Sequence, residues 1–284
     1  MPARPLHRSP SPSATLLAFL AACAGVDSRE GSAFPREAAA TGVHPPLLAP
    51  LGVEGAPLAT PPAYFDEPSV RGRRLPYWVL GAGRPVTLVL GAIHGGERSG
   101  AVLAFAAAGA LEALDARLLR GTIVFAPVTN PDGYVAGSRG NARNIDLNRN
   151  FPAANWGGTP RGGPYPASEP ETRFILRLLS RFRPERVVSI HAALACVNYD
   201  GPALEFAQEL SRATGLPVRG DIGYPTPGSL GSFLGNDMGV PTITLELRHA
   251  QTPSPSEVDG LVRVLLALHE LSPAPDAAPI AEGR

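Results

Sequence analysis

The sequence Val86-Thr87-Leu88-Val89-Leu90-Gly91-Ala92-Ile93-His94-Gly95-Gly96-Glu97 joins an apolar run of β-forming residues to a glycine-flanked His-x-x-Glu motif. The run has few polar breaks, which is typical of a central strand buried on both faces, here over residues 86–93. His94 and Glu97 leave the end of this strand together, so an imidazole and a carboxylate can bind one divalent ion. The stretch therefore predicts a buried sheet with half of a zinc site at its edge.

Helical and strand-like segments alternate after this run. The pattern predicts a helix over 99–119 and a strand over 122–127, which together with the first strand make a crossover unit. We also expect helices over 168–182, 203–214 and 256–271, strands over 186–190 and 242–247, and an edge strand over 74–80, since Pro76 is poorly tolerated inside a sheet. The predicted class is a single α/β domain with a mostly parallel mixed β-sheet and helices on both faces.

The first 63 residues have a different composition from the rest. Basic residues precede the short apolar run 14–22, which is typical of a secretory signal, and Leu20-Ala21-Ala22-Cys23 resembles a bacterial lipobox. We expect a signal peptide over 1–23, a Pro- and Ala-rich tether or prosegment over 24–63, the catalytic domain over 64–272 and a disordered tail over 273–284. This predicts an exported lipoprotein of the periplasm or cell envelope, anchored at Cys23. A plain export signal and a cytoplasmic protein with a disordered start remain alternatives.

Composition excludes some functions. The 284 residues are 44% hydrophobic, enough for one sizeable core, and the formal net charge is zero. No basic stripe indicates a nucleic-acid partner, so we expect none. Cys23 and Cys196 are the only cysteines, which is too few for a disulfide framework, and we expect Cys196 to be a small buried apolar residue.

Further polar residues follow the later strands. His191 comes directly after the strand 186–190, and parallel strands bring their carboxyl ends to one edge, so His94, Glu97 and His191 can form the three-ligand set of a catalytic zinc. Glu246 lies in an otherwise apolar strand and could take a proton from water. An exposed edge position or a salt bridge to Arg248 is the alternative role for Glu246.

The region between these strands is a long loop, 129–167, and a loop of that length in a compact domain is usually functional. It contains Asn130-Pro131-Asp132-Gly133 and Asp146-Leu147-Asn148-Arg149-Asn150. Ser168-Glu169-Pro170-Glu171 has the spacing of a capping box and is expected to open the following helix.

These motifs, with Ser189-Ile190-His191 and Thr244-x-Glu246, resemble the zinc carboxypeptidase family in order and context over roughly residues 75–268. The segments 191–196 and 223–232 are most similar to the murein peptide amidases of that family, which cut the bond between γ-D-glutamate and meso-diaminopimelate. The resemblance implies one Zn²⁺ bound by His94, Glu97 and His191, with Glu246 as general base. The substrate it implies is a murein peptide, or another peptide with a free C-terminal carboxylate.

The resemblance also assigns roles around this centre. Arg139 is implied to stabilise the oxyanion, Asn148 and Arg149 to bind the terminal carboxylate, and Asp146 to orient His94. Tyr224 is implied to close over the substrate, although a tyrosine in such a loop could be merely structural. Gly96 stands where digestive carboxypeptidases carry an arginine. Leu230 and Gly231, in the segment that sets specificity, offer no charge.

Three alternatives remain open. The first is a general metallocarboxypeptidase acting on ordinary peptide C-termini, and the second is a deacylase of the aspartoacylase or succinylglutamate desuccinylase type, which shares the zinc set. The third is an envelope lipoprotein that binds wall peptides without cleaving them. The run Asn148-Arg149-Asn150-Phe151 together with Tyr224 favours a peptidase over the deacylase.

Overall fold

A computed structural model describes residues 58–114 and 119–269. Their centre is an eight-stranded mixed sheet with the strand order β1-β2-β4-β3-β5-β8-β6-β7. The strands are β1 (Ala63–Tyr64), β2 (Pro76–Ala82), β3 (Val86–Leu90), β4 (Gly121–Ala126), β5 (Arg186–Ala192), β6 (Cys196–Asp200), β7 (Val218–Arg219) and β8 (Thr242–Leu247). The helices are α1 (Arg98–Glu112), α2 (Pro131–Ala136), α3 (Pro170–Phe182), α4 (Leu204–Thr214) and α5 (Pro255–His269).

The four central strands, β4, β3, β5 and β8, run parallel, while β2 and β6 flank them in the antiparallel direction. Parallel strands bring their carboxyl ends to one edge, where ligands gather in open α/β sheets. β3 ends just before the His94 turn, and β5 and β8 carry His191 and Glu246 in register. The topology therefore concentrates the predicted chemistry at one edge.

Side chains of the central strands alternate between two hydrophobic cores, as the pleat requires. Val89 packs into the core formed with α1, α4 and α5, whereas Leu88 and Leu90 pack into the core formed with α3. Both sets are fully buried. The predicted α/β class, with helices on both faces of a mostly parallel sheet, is confirmed.

Several predicted boundaries were wrong. The strand predicted over 74–80 is not an edge strand, because β1 pairs with β2 on its outer side; Pro76 is tolerated as the first residue of β2. β3 ends at Leu90 rather than residue 93, and α1 ends at Glu112 rather than residue 119. The Ala- and Leu-rich sequence favours helix beyond that end and contains no stop signal.

The capping box predicted at Ser168 does not form. α3 begins at Pro170, with Glu169 as its N-cap and no side-chain capping bond. The Ser168 hydroxyl is instead bonded to Asn150 and Glu169, while Glu171 accepts hydrogen bonds from Asn141 and the Val70 amide. These polar groups tie the long loop to α3.

Some expectations concern residues outside the described ranges. The signal peptide, the lipobox with Cys23, most of the tether and the C-terminal tail all lie there and stay predictions. Across residues 58–114 and 119–269, no helix combines the length and apolar character needed to cross a membrane. Cys196 is fully buried, as expected.

Candidate metal and catalytic site

The predicted metal ligands converge at the sheet edge. His94 Nδ1 lies 2.8 Å from Glu97 Oε1, and His191 Nδ1 lies 3.0 Å from Glu97 Oε2. The two Nδ1 atoms are 3.1 Å apart, and one ligand atom from each of the three residues falls within 4.8 Å of the others. Both imidazoles are buried, which removes competing water from the site.

The chemistry of these donors fits a divalent cation. His94 Nε2 lies 3.0 Å from Asp146 Oδ1, so Nε2 carries the proton and Nδ1 presents its lone pair towards Glu97 and His191. Two imidazole nitrogens and a carboxylate facing one another repel unless a proton or cation lies between them. Nitrogen and carboxylate ligands, three in number, are typical of a catalytic zinc that keeps a position for water or substrate.

Ionisation of the carboxylates in this site is strongly favoured. Burial by itself would raise the pKa of Glu97, but without a metal ion the positive charge of a protonated His191, and the hydrogen bonds that both histidines donate when protonated, hold that pKa far below its ordinary range. The same competition, with His94 and Arg139 as partners, lowers the pKa of Asp146. Both carboxylates are therefore anionic, and a metal ion bound at this site would replace the histidine protons as their positive partner.

Close backbone packing builds the turn that carries His94 and Glu97. A Cβ on Gly95 would lie 2.0 Å from the Gly133 carbonyl carbon, so this position accepts no side chain. Asn130 caps α2 through the Gly133 amide and donates to the Ile93 carbonyl from its Nδ2 atom. The Asn130-Pro131-Asp132-Gly133 motif thus packs against, and hydrogen-bonds to, the turn that carries His94 and Glu97.

Glu246 faces the same cavity from β8. Its side chain is 7% exposed, and Oε2 accepts a hydrogen bond of 3.3 Å from the Leu194 amide. The alternative salt bridge to Arg248 does not form, because Arg248 pairs with Glu257. One oxygen of Glu246 therefore remains available to a water or an amine in the cavity.

Arg139 is held at the mouth of the cavity. Its Nε donates to Asp146 Oδ2 at 2.8 Å, and its Nη1 is 3.7 Å from Glu97 Oε1. The side chain is 42% exposed, which leaves guanidinium N–H groups free to donate to a carbonyl oxygen. Asp146 therefore joins Arg139 to His94, one of the predicted metal ligands.

Asn148, Arg149 and Tyr224 line the wall beside the metal ligands. Asn148 Oδ1 accepts a hydrogen bond of 2.9 Å from the Leu230 amide. The Asn148 Nδ2 atom takes no part in that bond and can donate to a substrate. Arg149 donates to the Asn148 carbonyl, and burial lowers the pKa of its guanidinium, with the Asp146 charge opposing that shift. Tyr224 is 48% exposed on the segment above the cavity.

All of the predicted ligand, catalytic and substrate-binding side chains line one cavity of about 170 Å³. Asp146 stands behind it and contacts His94 and Arg139. The sequence analysis missed Asn198 and Asp200, which line the same cavity from β6. Leu230 is buried in the core near α3, so only Gly231 of the predicted specificity pair faces the cavity.

The period-two pattern of β6 could have revealed the missed residues. Cys196, Asn198 and Asp200 occupy alternate positions and therefore share one face of the strand. In the antiparallel pairing, Cys196 is opposite Glu246 and Asn198 is opposite Thr244. This register cannot be read from the sequence. It brings the polar face of β6 beside the predicted base, Glu246.

Comparisons with known proteins agree on the family to which this chain belongs. Residues 68–202 match the zinc carboxypeptidase family. The chain is 38% identical over 192 residues to murein peptide amidase A of Escherichia coli K12, covering 62% of this chain and 76% of that protein. It is 33% identical over 235 residues to murein peptide amidase A of Vibrio campbellii, covering 76% and 84% respectively.

Solved structures agree. The crystal structure of murein-tripeptide amidase MpaA from Escherichia coli O157 aligns with a TM-score of 0.61 and 31% identity, covering 80% of this chain and 97% of that one. Thrombin-activatable fibrinolysis inhibitor aligns with a TM-score of 0.62 at 19% identity, covering 74% of this chain and 67% of that one. The second similarity concerns the fold alone.

Proposed function

Because this chain belongs to the zinc carboxypeptidase family, whose members are metallopeptidases, we propose that it hydrolyses the amide between γ-D-glutamate and meso-diaminopimelate in murein peptides. The reaction releases the C-terminal residue. One observation carries the proposal: the three-residue metal set, a buried carboxylate and the Asn148–Arg149 pair line a single cavity, in a chain 38% identical to a murein peptide amidase.

The chain positions the substrate by its free carboxylate. Arg149 and Asn148 bind this group, because a planar guanidinium with an adjacent amide donor matches the two oxygens of a carboxylate. Tyr224, on the exposed segment above the cavity, closes over the bound residue and excludes water. The scissile amide then lies between Glu246 and Arg139, which line the same cavity.

Proton transfer and charge stabilisation fall to two residues. Glu246 takes a proton from the attacking water through its free oxygen and returns it to the leaving amine. Arg139, fixed by Asp146, donates N–H groups to the oxygen of the attacked carbonyl as negative charge develops there. His94, Glu97 and His191 would hold Zn²⁺, which when bound polarises a carbonyl and acidifies water.

The experiment is hydrolysis of L-Ala-γ-D-Glu-meso-diaminopimelate by the zinc-loaded protein, with free diaminopimelate measured by mass spectrometry. Glu246→Gln is assayed in parallel, and Glu209→Gln, an equal charge change at an exposed position of α4, is the matched control. We expect release by the wild type and the Glu209→Gln variant but not by Glu246→Gln. Binding without release by zinc-saturated wild type would indicate a non-catalytic peptide-binding protein.

Two other activities are outcomes of the same assay. If α-linked peptides lose their C-terminal residue and the γ-D-glutamyl substrate does not, the protein is a general carboxypeptidase. If only N-acyl amino acids are hydrolysed, it is a deacylase, and the terminal-carboxylate role of Arg149 would be wrong. The peptide readout separates these activities because each releases a different product.

We also propose that the protein works in the cell envelope, where murein lies, and that Cys23 carries its lipid anchor. The support is the apolar run before Leu20-Ala21-Ala22-Cys23. Globomycin-sensitive processing and incorporation of labelled palmitate in cells would test the anchor. Cys23→Ser should abolish the labelling, whereas Cys196→Ser, at a fully buried position, should not change it.

A further inference from the structure

β6 lines the cavity beside β8, the strand that carries Glu246. Asn198 and Asp200 line the cavity from alternate positions of β6, and Asn198 is in register with Thr244 on β8. The segment 223–232, which includes Leu230 and Gly231, contains no charged side chain. The charge at this end of the cavity is instead the carboxylate of Asp200, which comes from a different strand.

Among residues 58–114 and 119–269, this carboxylate has one hydrogen-bonding side-chain partner. Asn236 Nδ2 donates to Asp200 Oδ1 at 3.1 Å, and within the described part of the chain no arginine or histidine pairs with either oxygen. Burial raises the pKa of Asp200, and the Asn236 hydrogen bond offsets only part of that shift. A half-buried carboxylate without a cation is costly, and a bound cation would reduce that cost.

Two glycines make room for the carboxylate. A Cβ on Gly231 would lie 2.0 Å from Asp200 Oδ2, and a Cβ on Gly235 would lie 2.3 Å from Asp200 Cβ. Any side chain at these positions would displace Asp200 from the place that it occupies beside the cavity. Residue 231 must therefore be a glycine for Asp200 to occupy its position beside the cavity.

We infer that Asp200 is a specificity-determining residue whose carboxylate binds the ammonium group at the far end of the side chain of the substrate's C-terminal residue. The inference rests on the proposed peptidase function. Diaminopimelate carries such an ammonium on its sixth carbon, and lysine carries one on the corresponding carbon. Asn198 adds an acceptor, because its Nδ2 donates to the Arg219 carbonyl and its Oδ1 is left for the ligand.

The test compares three substrates, L-Ala-γ-D-Glu-X, in which X is meso-diaminopimelate, L-lysine or L-norleucine. Norleucine has the same carbon chain as lysine without the ammonium, so the lysine-to-norleucine ratio isolates the ammonium, whereas diaminopimelate also carries a carboxylate on its sixth carbon. We expect wild-type kcat/KM to be about 10 to 100 times higher for the two ammonium-bearing substrates than for norleucine, as for a charged hydrogen bond. In Asp200→Asn this ratio should fall to within about threefold, mainly through a higher KM.

The ratio is measured within each variant, so a smaller folded fraction does not change it. Asp200→Ser, which removes the charge and reduces the volume beside Gly231, is a second variant should Asp200→Asn not fold. Glu209→Gln should keep the wild-type ratio. A wild-type ratio near one, or a ratio unchanged in both Asp200 variants, would overturn the inference.

Failure of the proposed function has a different signature. If wild type cleaves no γ-D-glutamyl peptide, the comparison moves to α-linked peptides ending in lysine or norleucine. A preference for lysine that disappears in Asp200→Asn would sustain the role of Asp200 while the murein substrate is rejected. Equal cleavage of both α-linked peptides would reject the role of Asp200.

Discussion

His191 and Glu246 are register partners on the neighbouring parallel strands β5 and β8. The proposed metal-ligating imidazole and the proposed base therefore stand side by side on a rigid sheet rather than on separate loops. Catalysis requires that reacting groups be held in position, and a strand positions a side chain more accurately than a loop does. Both residues are buried, so the sheet also limits the access of water.

Glu246→Gln should lower kcat by about 10² to 10⁴-fold, the range for loss of a general base. The amide retains the size of the side chain and can still accept the Leu194 N–H, but it cannot take a proton from water. Zinc content, measured by atomic emission, should be unchanged because Glu246 is not one of the three proposed ligands. Near-normal turnover in this variant would require a different base.

Asp146→Asn should weaken zinc binding about 10- to 100-fold, since carboxylates behind a ligating histidine contribute that much. The substitution removes the negative charge that faces both His94 and Arg139. Competition with a zinc chelator measures the affinity, and Asp259→Asn, on the exposed face of α5, is the control. Equal zinc affinity in Asp146→Asn and wild type would show that Asp146 does not support His94.

Arg149→Lys should lower kcat/KM by about 10- to 100-fold, because a lysine cannot donate two parallel hydrogen bonds to one carboxylate. With wild type, kcat/KM for a substrate with an amidated C-terminus should be lower by a similar factor than for the free acid. Arg149→Lys should lower kcat/KM for this amidated substrate little further. This double comparison isolates the contact between Arg149 and the terminal carboxylate. Arg263→Lys, exposed on α5, should behave as wild type; additive losses in the main comparison would refute the contact.

Glu257 makes stability depend on pH. Burial would raise the pKa of Glu257, but hydrogen bonds from the Ser254 and Arg248 amides, with the Arg248 charge, lower it below its unfolded value of 4.5. Because the folded-state pKa is the lower one, the stabilisation is complete above pH 4.5 and is lost as the pH falls through the folded value.

Glu257→Gln should therefore lower the free energy of unfolding by about 1.5–3 kcal/mol at pH 7, since one amide oxygen cannot replace two carboxylate oxygens. Urea unfolding at several pH values measures the difference between variant and wild type. The difference should shrink as the pH falls below 4.5. A constant difference down to pH 3 would mean that the carboxylate charge is not responsible.

The sequence predicted the parts of the site that follow apolar strands. β3 and β5 are mostly apolar with few polar breaks, so the strand ends at His94 and His191 could be located without a structure. Pairing is harder to predict because it depends on contacts between distant segments. β6 lacks an apolar run of its own, and its antiparallel pairing with β8 is what brings Asp200 to the cavity.

Local polar signals were also misleading where tertiary contacts compete with them. Ser168 has the spacing of a helix cap, but Asn150 and Glu169 take its hydroxyl and Pro170 sets the start of α3. The roles of Asp146 and Arg139 entered only through the family resemblance. The position of the Asp146 carboxylate between His94 and Arg139 depends on how the loop folds onto the sheet edge.

Because β6 is a separate antiparallel strand, the residues proposed for catalysis and those proposed for substrate specificity lie on different strands. The proposed metal ligands and base lie on or directly after β3, β5 and β8, whereas the antiparallel β6 supplies Asn198 and Asp200 from the opposite direction. If Asp200 has the inferred role, substitutions on β6 change which terminal residue is accepted without moving a proposed metal ligand. In evolutionary terms, this arrangement lets one hydrolytic centre acquire new substrates through changes confined to a single flanking strand.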